Sequence, residues 1–335
     1  MLTITVMILA GLLSLPVMMV LSASIGDMPI TFKATFRAIT NGLGLSHYSL
    51  PPVEAGIVWQ YRMSRSLMAA CSGGGLALCG LILQSLLKNP LAEPYLLGIS
   101  AGASTGAVMV MLLGVGSGIL SVSGGAFIGA CFAFGLILFL SGGMQKKTGR
   151  IILAGVAGTQ MFNALTSYIV STSANAEQSR GVMFWLLGSL SGVRWSDAIL
   201  CCAVVLAALL VALCYARTLD TFAMGTDVSA TLGTRIIYVR SVLLLVTALI
   251  TAVIVSSIGA VGFVGLVIPH VTRMLFGHRH LLVIPMTFII GCHFMILADL
   301  ISRTLIAHQV LPVGVVTALI GAPAFAIILY RNRER

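Results

Sequence analysis

His278 and His280 flank Arg279, and Asp299 stands four residues before Arg303. In this 335-residue chain, these spacings come nearest to a metal site and to an ion pair. No carboxylate or cysteine lies beside the two histidines to complete a coordination shell, so they do not read as a metal centre. Asp299 and Arg303 share one helical face at i, i+4, the spacing of a local salt bridge. His293 falls in the middle of an apolar run. There an imidazole either relays protons or hydrogen-bonds a neighbouring helix, and the second reading carries more weight. The seven cysteines all lie in apolar runs with no C-x-x-C spacing. They read as small packing residues, and no metal site is expected.

What is missing narrows the chemistry further. There is no Gly-Lys dipeptide, so the phosphate-cradling loop G-x-x-x-x-G-K-[ST] is absent and the chain does not hydrolyse ATP by that route. No nucleophile–base pair stands out, which excludes the usual membrane enzymes. A carrier driven by protons or sodium places carboxylates inside the membrane. Of the nine carboxylates here, Asp27, Glu54, Glu93, Glu177, Asp197, Asp220, Asp227 and Glu334 lie in loops or at the ends of apolar runs. Asp299 alone sits within one. Energy is therefore expected from a separate subunit. No basic stretch is interleaved with aromatics, so nucleic acid is not a partner.

The elements that position these residues follow from composition. Hydrophobic residues make up 59% of the chain, charged residues 8%, and mean hydropathy is +1.08. A soluble domain carries about 25% charge. About 20 apolar residues in a helix cross a bilayer core of about 30 Å. Continuous apolar runs at about 4–23, 63–87, 95–115, 121–141, 151–172, 196–216, 236–258, 262–276, 281–301 and 312–330 predict an all-α polytopic membrane protein of about ten transmembrane helices. The whole of 1–335 reads as one transmembrane domain. Residues 2–23 lack a cationic leader and exceed the apolar core of a signal peptide, so they read as the first span. The eighth run is short and follows Gly-rich sequence, which predicts a segment that does not cross at full length. Gly98, Gly102 and Gly106 recur at spacings of four, a pattern that lets neighbouring helices approach closely.

With the N-terminus inside, twelve of the nineteen Lys and Arg residues fall on the inner side and seven on the outer. The excess of inner cations places both termini in the cytoplasm. Residues 217–235 are moderately polar and lie on that inner side. Gly225 and Gly233 stand where short helices stop or bend. The stretch reads as one or two cytoplasmic helices shaped to dock another protein, with a plain loop as the alternative.

Seven stretches then stand in one order: Arg62-Met-Ser-Arg65; the run from Gly80-Leu-Ile-Leu-Gln84 through Asn89-Pro-Leu-Ala-Glu-Pro-Tyr95 to Gly102; Leu153-Ala-Gly-Val-Ala157; Phe184-Trp-Leu-Leu-Gly188 through Gly192; Gly259-Ala-Val-Gly-Phe-Val-Gly265 through His270; Leu297-Ala-Asp-Leu-Ile-Ser-Arg303; and Leu311-Pro-Val-Gly314 through Pro323. From about residue 59 to 330 the chain resembles the FecCD family, the permease subunits of type II ABC importers for iron-siderophores, haem and vitamin B12. The resemblance implies a type II importer permease fold in the bacterial inner membrane, with two such subunits (a second copy or a paralogue) around a central pathway. It also implies two cytoplasmic ATPases that bind ATP and Mg, a periplasmic binding protein, and no cofactor on this chain.

Residue by residue, Arg62, Arg65 and Arg303 match outer arginines that pair with glutamates of the binding protein. Gly225, Asp227, Leu232 and Gly233 fall in the coupling helices that meet the ATPase. Asn89, Leu91, Thr148 and Gly149 match the cytoplasmic gate. The chain departs from the family pattern at Ser64, at Val310, at Arg279-His280-Leu281, where Asp-His-Arg is usual, and at Gly149. The expected cargo is a metal chelate, a ferric siderophore first, with cobalamin or haem the alternative. A proton-coupled secondary carrier is the reading from another class.

Overall fold

A computed structural model describes residues 2–26, 28–143, 148–225, 229, 231, 235–306 and 309–332. Among them every regular element is helical, apart from one isolated bridge between Ile306 and Gln309. The first helix, α1 (Leu2–Ser24), is apolar all round, and only 11% of its span is buried in the protein. An apolar helix left uncovered in this way suits a lipid surround. Thr31 caps α2 (Phe32–Gly42) by accepting from the Ala34 amide. The third helix, α3, runs from Pro52 to Leu87 through a π-helical stretch at Ile57–Met63. It is the centre of the molecule, with 94% of its apolar window buried.

The remaining α-helices among the described residues are α4 (Ile99–Leu113), α5 (Val122–Ser141), α6 (Thr148–Ser173), α7 (Ala176–Leu186), α8 (Trp195–Cys214), α9 (Ala216–Met224), α10 (Ile236–Ile258), α11 (Val264–Phe276), α12 (His280–Thr304) and α13 (Val313–Asn332), with one 3-10 turn at Pro94–Leu97. Each of the ten expected runs falls on one of these helices. Six are long and apolar enough to cross a membrane. The thirteen residues of α11 measure about 20 Å at the usual helical rise, short of a bilayer core of about 30 Å. The short eighth segment of the sequence is therefore a half-helix.

Three features differ from the sequence reading. The second run begins at Pro52 rather than about 63, because Pro51 and Pro52 open the helix early. Two amphipathic helices, α2 and α7, fill what read as connections. Asn175 and Gln178 form a reciprocal capping box at the start of α7, a pairing whose spacing is visible in sequence.

Small residues set the helix contacts. Gly73 of α3 lies against Gly291 of α12, and Gly80 against Gly265 of α11; a Cβ at either α3 position would run into the facing carbonyl. The spacing-of-four glycines behave likewise, with Gly102 and Gly106 of α4 against Gly129 and Gly125 of α5. In lipid, where apolar burial drives association weakly, such backbone approach is what holds helices together.

Candidate functional site

The end of the bundle where α1 stops and α3 begins carries the arginine cluster. Asp299 on α12 is fully buried. Its Oδ1 accepts from Arg65 Nε at 2.7 Å and its Oδ2 from Arg303 Nε at 3.1 Å. The i, i+4 pair expected from sequence is present, and a second guanidinium from 234 residues away shares the carboxylate. Arg303 also donates to the Ile25 carbonyl at 2.8 Å and to Ser22 Oγ at 2.8 Å. Arg62 donates to the carbonyls of Ala23 at 3.1 Å and Met28 at 2.6 Å.

The last carbonyls of a helix have no partner within it, and two cations at that negative end satisfy them. Arg62 and Arg303 are consequently only 7% and 8% exposed. The donors named here face α1. Arg65 is the most open of the three, at 13%, and donates to Ser191 Oγ at 3.2 Å. All three arginines line one cleft of about 380 Å³, together with Tyr61, Leu190 and Val310. The departure at Val310 thus lies in the same cleft.

The opposite end of α3 leads to the expected gate. Lys88 ends the helix in the left-handed region. Asn89 Oδ1 then accepts the Leu91 amide at 3.0 Å, and the Leu91 side chain is exposed. Gly149 opens α6 and is exposed, while the Thr148 side chain lies outside the described residues. Glu93 follows in the loop, and burial raises its carboxyl above the ordinary value. Of the coupling stretch, α9 and Gly225 are described, and the Ser229 amide and hydroxyl both donate to the Gly225 carbonyl. Asp227, Leu232 and Gly233 lie outside the described residues.

Between the two ends, the chain breaks its helices. Residues 259–263 separate α10 from α11, and Phe263 sits at φ 69. Non-helical backbone is tolerated at membrane depth only where its polar groups find partners. Tyr95 supplies two of these bonds, donating to the Val261 carbonyl and accepting its amide, both at 2.6 Å. Gln84, 4% exposed, donates to the Gly265 carbonyl at 3.1 Å and accepts from Arg273 at 2.5 Å. Gly188 and Gly259, both at positive φ, meet here, and Gly314 of α13 approaches the Leu187 and Ala260 carbonyls. Four of the quoted motifs therefore converge on one junction.

The other isolated histidine reading also resolves. His293 Nε2 lies 2.9 Å from Ser14 Oγ, and Nδ1 lies 2.9 Å from the Ile289 carbonyl, joining α12 to α1. Among the described residues, no group of three or more His, Cys, Asp or Glu side chains is placed to hold a metal ion.

A bundle with a buried charge cluster at one end, a half-helix in its middle and short helices at the other end has counterparts of known family. The FecCD transport family profile matches residues 13–331. The chain belongs to this family. As a FecCD chain it is an ABC importer permease and a membrane transport subunit. It is 37% identical to the uncharacterized ABC transporter permease protein YvrB of Bacillus subtilis, over 97% of this chain and 93% of that protein. It is 33% identical to the cobalamin import system permease protein BtuC of Halobacterium salinarum, over 97% and 95%. With the vitamin B12 import system permease protein BtuC of Escherichia coli it shares 36% identity over 83% and 84%. Among solved structures, an inward-facing metal-chelate type ABC transporter superposes with a TM-score of 0.84 at 27% identity, covering 97% of this chain and 99% of the other. The all-α permease fold expected from sequence is thereby established.

The residues whose part in the helix break was missed in sequence are Gln84, Tyr95 and Arg273. Gln84 was the readable one, the one amide side chain between Ser64 and Leu87 and set in the apolar stretch Leu76–Leu87.

Proposed function

We propose that this permease is one of two membrane subunits of an ATP-driven importer in the bacterial inner membrane, with both termini cytoplasmic. Two ATPases act on α9 and the residues that follow it, and a periplasmic binding protein delivers cargo to the arginine end. A metal chelate crosses whole. The observation that carries the reading is the near full-length likeness to permeases named as import subunits. Those names put a corrinoid first as cargo, ahead of the ferric siderophore suggested by the motifs. The direction of the chain supports the orientation, since α1 ends and α13 begins at the arginine end, which puts the start of α1 and the end of α13 at the opposite end. Arg65 offers a cation to a carboxylate on the partner.

The test is reconstitution of the permease with its ATPase and binding protein in liposomes, offering 57Co-cyanocobalamin and a 55Fe-loaded hydroxamate siderophore. ATP-dependent accumulation of one or both is expected. Uptake driven by a pH gradient without the ATPase would instead establish a secondary carrier. Docking is best tested on the partner side, by Glu→Arg changes in the binding protein at low salt, where screening is least. Reversing Arg62 or Arg303 would also release α1 and confuse the result.

A further inference from the structure

Three side chains outside both the cleft and the helix break form one continuous line. Asp220 Oδ1 on α9 accepts from the His280 amide at 2.9 Å and from His280 Nδ1 at 2.7 Å. A carboxylate only accepts, so Nδ1 carries a proton. On the far edge of the ring, Nε2 stands 2.8 Å from Ser85 Oγ in the last turn of α3. Ser85 Oγ also lies 2.9 Å from the Leu81 carbonyl. His280 opens α12 and is 5% exposed, so the line passes through the protein rather than over it.

We infer that this line, Asp220 to His280 to Ser85, is the link that carries movement of α9 into the body of the permease, with His280 as the positioning residue. The inference rests on the proposed reading that ATPases act on α9. Leu219 and Phe222 hold the same helix against the core through buried apolar contact. Apolar contact is non-directional and resists sliding poorly, whereas hydrogen bonds weaken steeply as their geometry departs from the optimum. The two bonds to Asp220 therefore fix the register of α9 on α12. Beyond Ser85 there is little slack, because α3 meets α12 and α11 by backbone approach at Gly73 and Gly80. The residue before Ser85 is Gln84, which takes Arg273 of α11. One turn of α3 thus receives both the α9–α12 line and the half-helix.

The test is the amount of chelate delivered per ATP hydrolysed in the reconstituted complex, with 57Co-cyanocobalamin and the 55Fe siderophore as probes. Asp220→Leu removes the acceptor. His280→Asn keeps a donor in the place of Nδ1 and loses the Ser85 contact. Ser85→Ala cuts the far end. Asp220→Asn retains an oxygen that accepts both bonds. In the first three the ratio is expected to fall about tenfold, within the range of coupling between distant sites. In Asp220→Asn it stays near wild type. A role confined to packing would lower the yield of assembled complex and leave the ratio alone.

An unchanged ratio in both His280→Asn and Ser85→Ala overturns the link, as does an equal fall in Asp220→Asn. Should Asp220→Leu or His280→Asn fail to assemble, Ser85→Ala decides alone. Failure of the wild type to accumulate either chelate with ATP overturns the importer reading and takes the link with it.

Discussion

The two ends of α3 are fastened in different ways. At the arginine end, a fully buried carboxylate holds two guanidiniums, and two arginines reach on to the end of α1. At the other end the fastenings run through an amide that takes the Arg273 guanidinium, an imidazole and a hydroxyl, and the carboxylate among them, Asp220, is 35% exposed rather than buried. Buried ion pairs are costly to separate because each partner is left charged in a poor solvent. Polar links of this second kind are weaker, and a change in geometry exchanges them at lower cost. The first end is built to stay fixed while the second can shift, as expected if a partner pushes on one and only docks on the other.

The sharpest way to break this contrast is Asp299→Ala. It strands Arg65 and Arg303, and a broken buried pair costs about 3–5 kcal/mol. A large drop in melting temperature of the detergent-purified protein is expected, with loss of assembled permease in cells. A drop no larger than that of a typical core substitution would show the cluster to be well solvated.

Gln84→Leu is the matching change near the other end. It leaves the Gly265 carbonyl and Arg273 without their amide partner, a loss of about 1–3 kcal/mol. Thermal unfolding should fall measurably and by less than for Asp299→Ala. An equal or larger fall would reverse the comparison.

The smallest effect is Glu93→Gln, read through pH. Burial raises the Glu93 carboxyl, so the folded state holds its proton more tightly than the unfolded state does. Its contribution is intact below the ordinary carboxylate pKa of about 4.3 and is lost as pH rises through the raised value. The glutamine variant should melt like wild type near pH 4 and slightly above it near pH 7.5. Equal melting at both values would mean that Glu93 is hydrated.

Much of the fold was legible because a long apolar run has few alternatives in a chain this poor in charge. The eighth run announced its own shortness through its glycines, and the i, i+4 geometry of Asp299 with Arg303 is local. The Arg65 contact to the same carboxylate is not local. It depends on how α3 and α12 lie together, and that follows from Gly73 meeting Gly291, which no spacing within either segment reveals. The anchoring of Arg62 and Arg303 to the end of α1 was hidden for a related reason. Position at a helix end shows that an arginine reaches the membrane edge. It does not show that the carbonyls of another helix wait there. The pairing of Asp220 with His280 is hidden because the two lie 60 positions apart in the chain.

The fastening of α1 also carries a schedule. Arg62 reaches the Ala23 carbonyl from 39 residues downstream, and Arg303 reaches the Ser22 hydroxyl from 281 residues downstream. At a synthesis rate of about 5–20 residues per second, these partners are made roughly 2–8 s and 15–60 s after Ser22 itself. The first helix of the newborn chain therefore waits in the bilayer with only its early contacts, those to Arg62, Ser66 and the Ala23 cluster, until nearly the whole polypeptide has been translated. Chains cut short before Asp299 should keep that helix permanently ajar, and so should be conspicuous to membrane proteases that recognise loose segments.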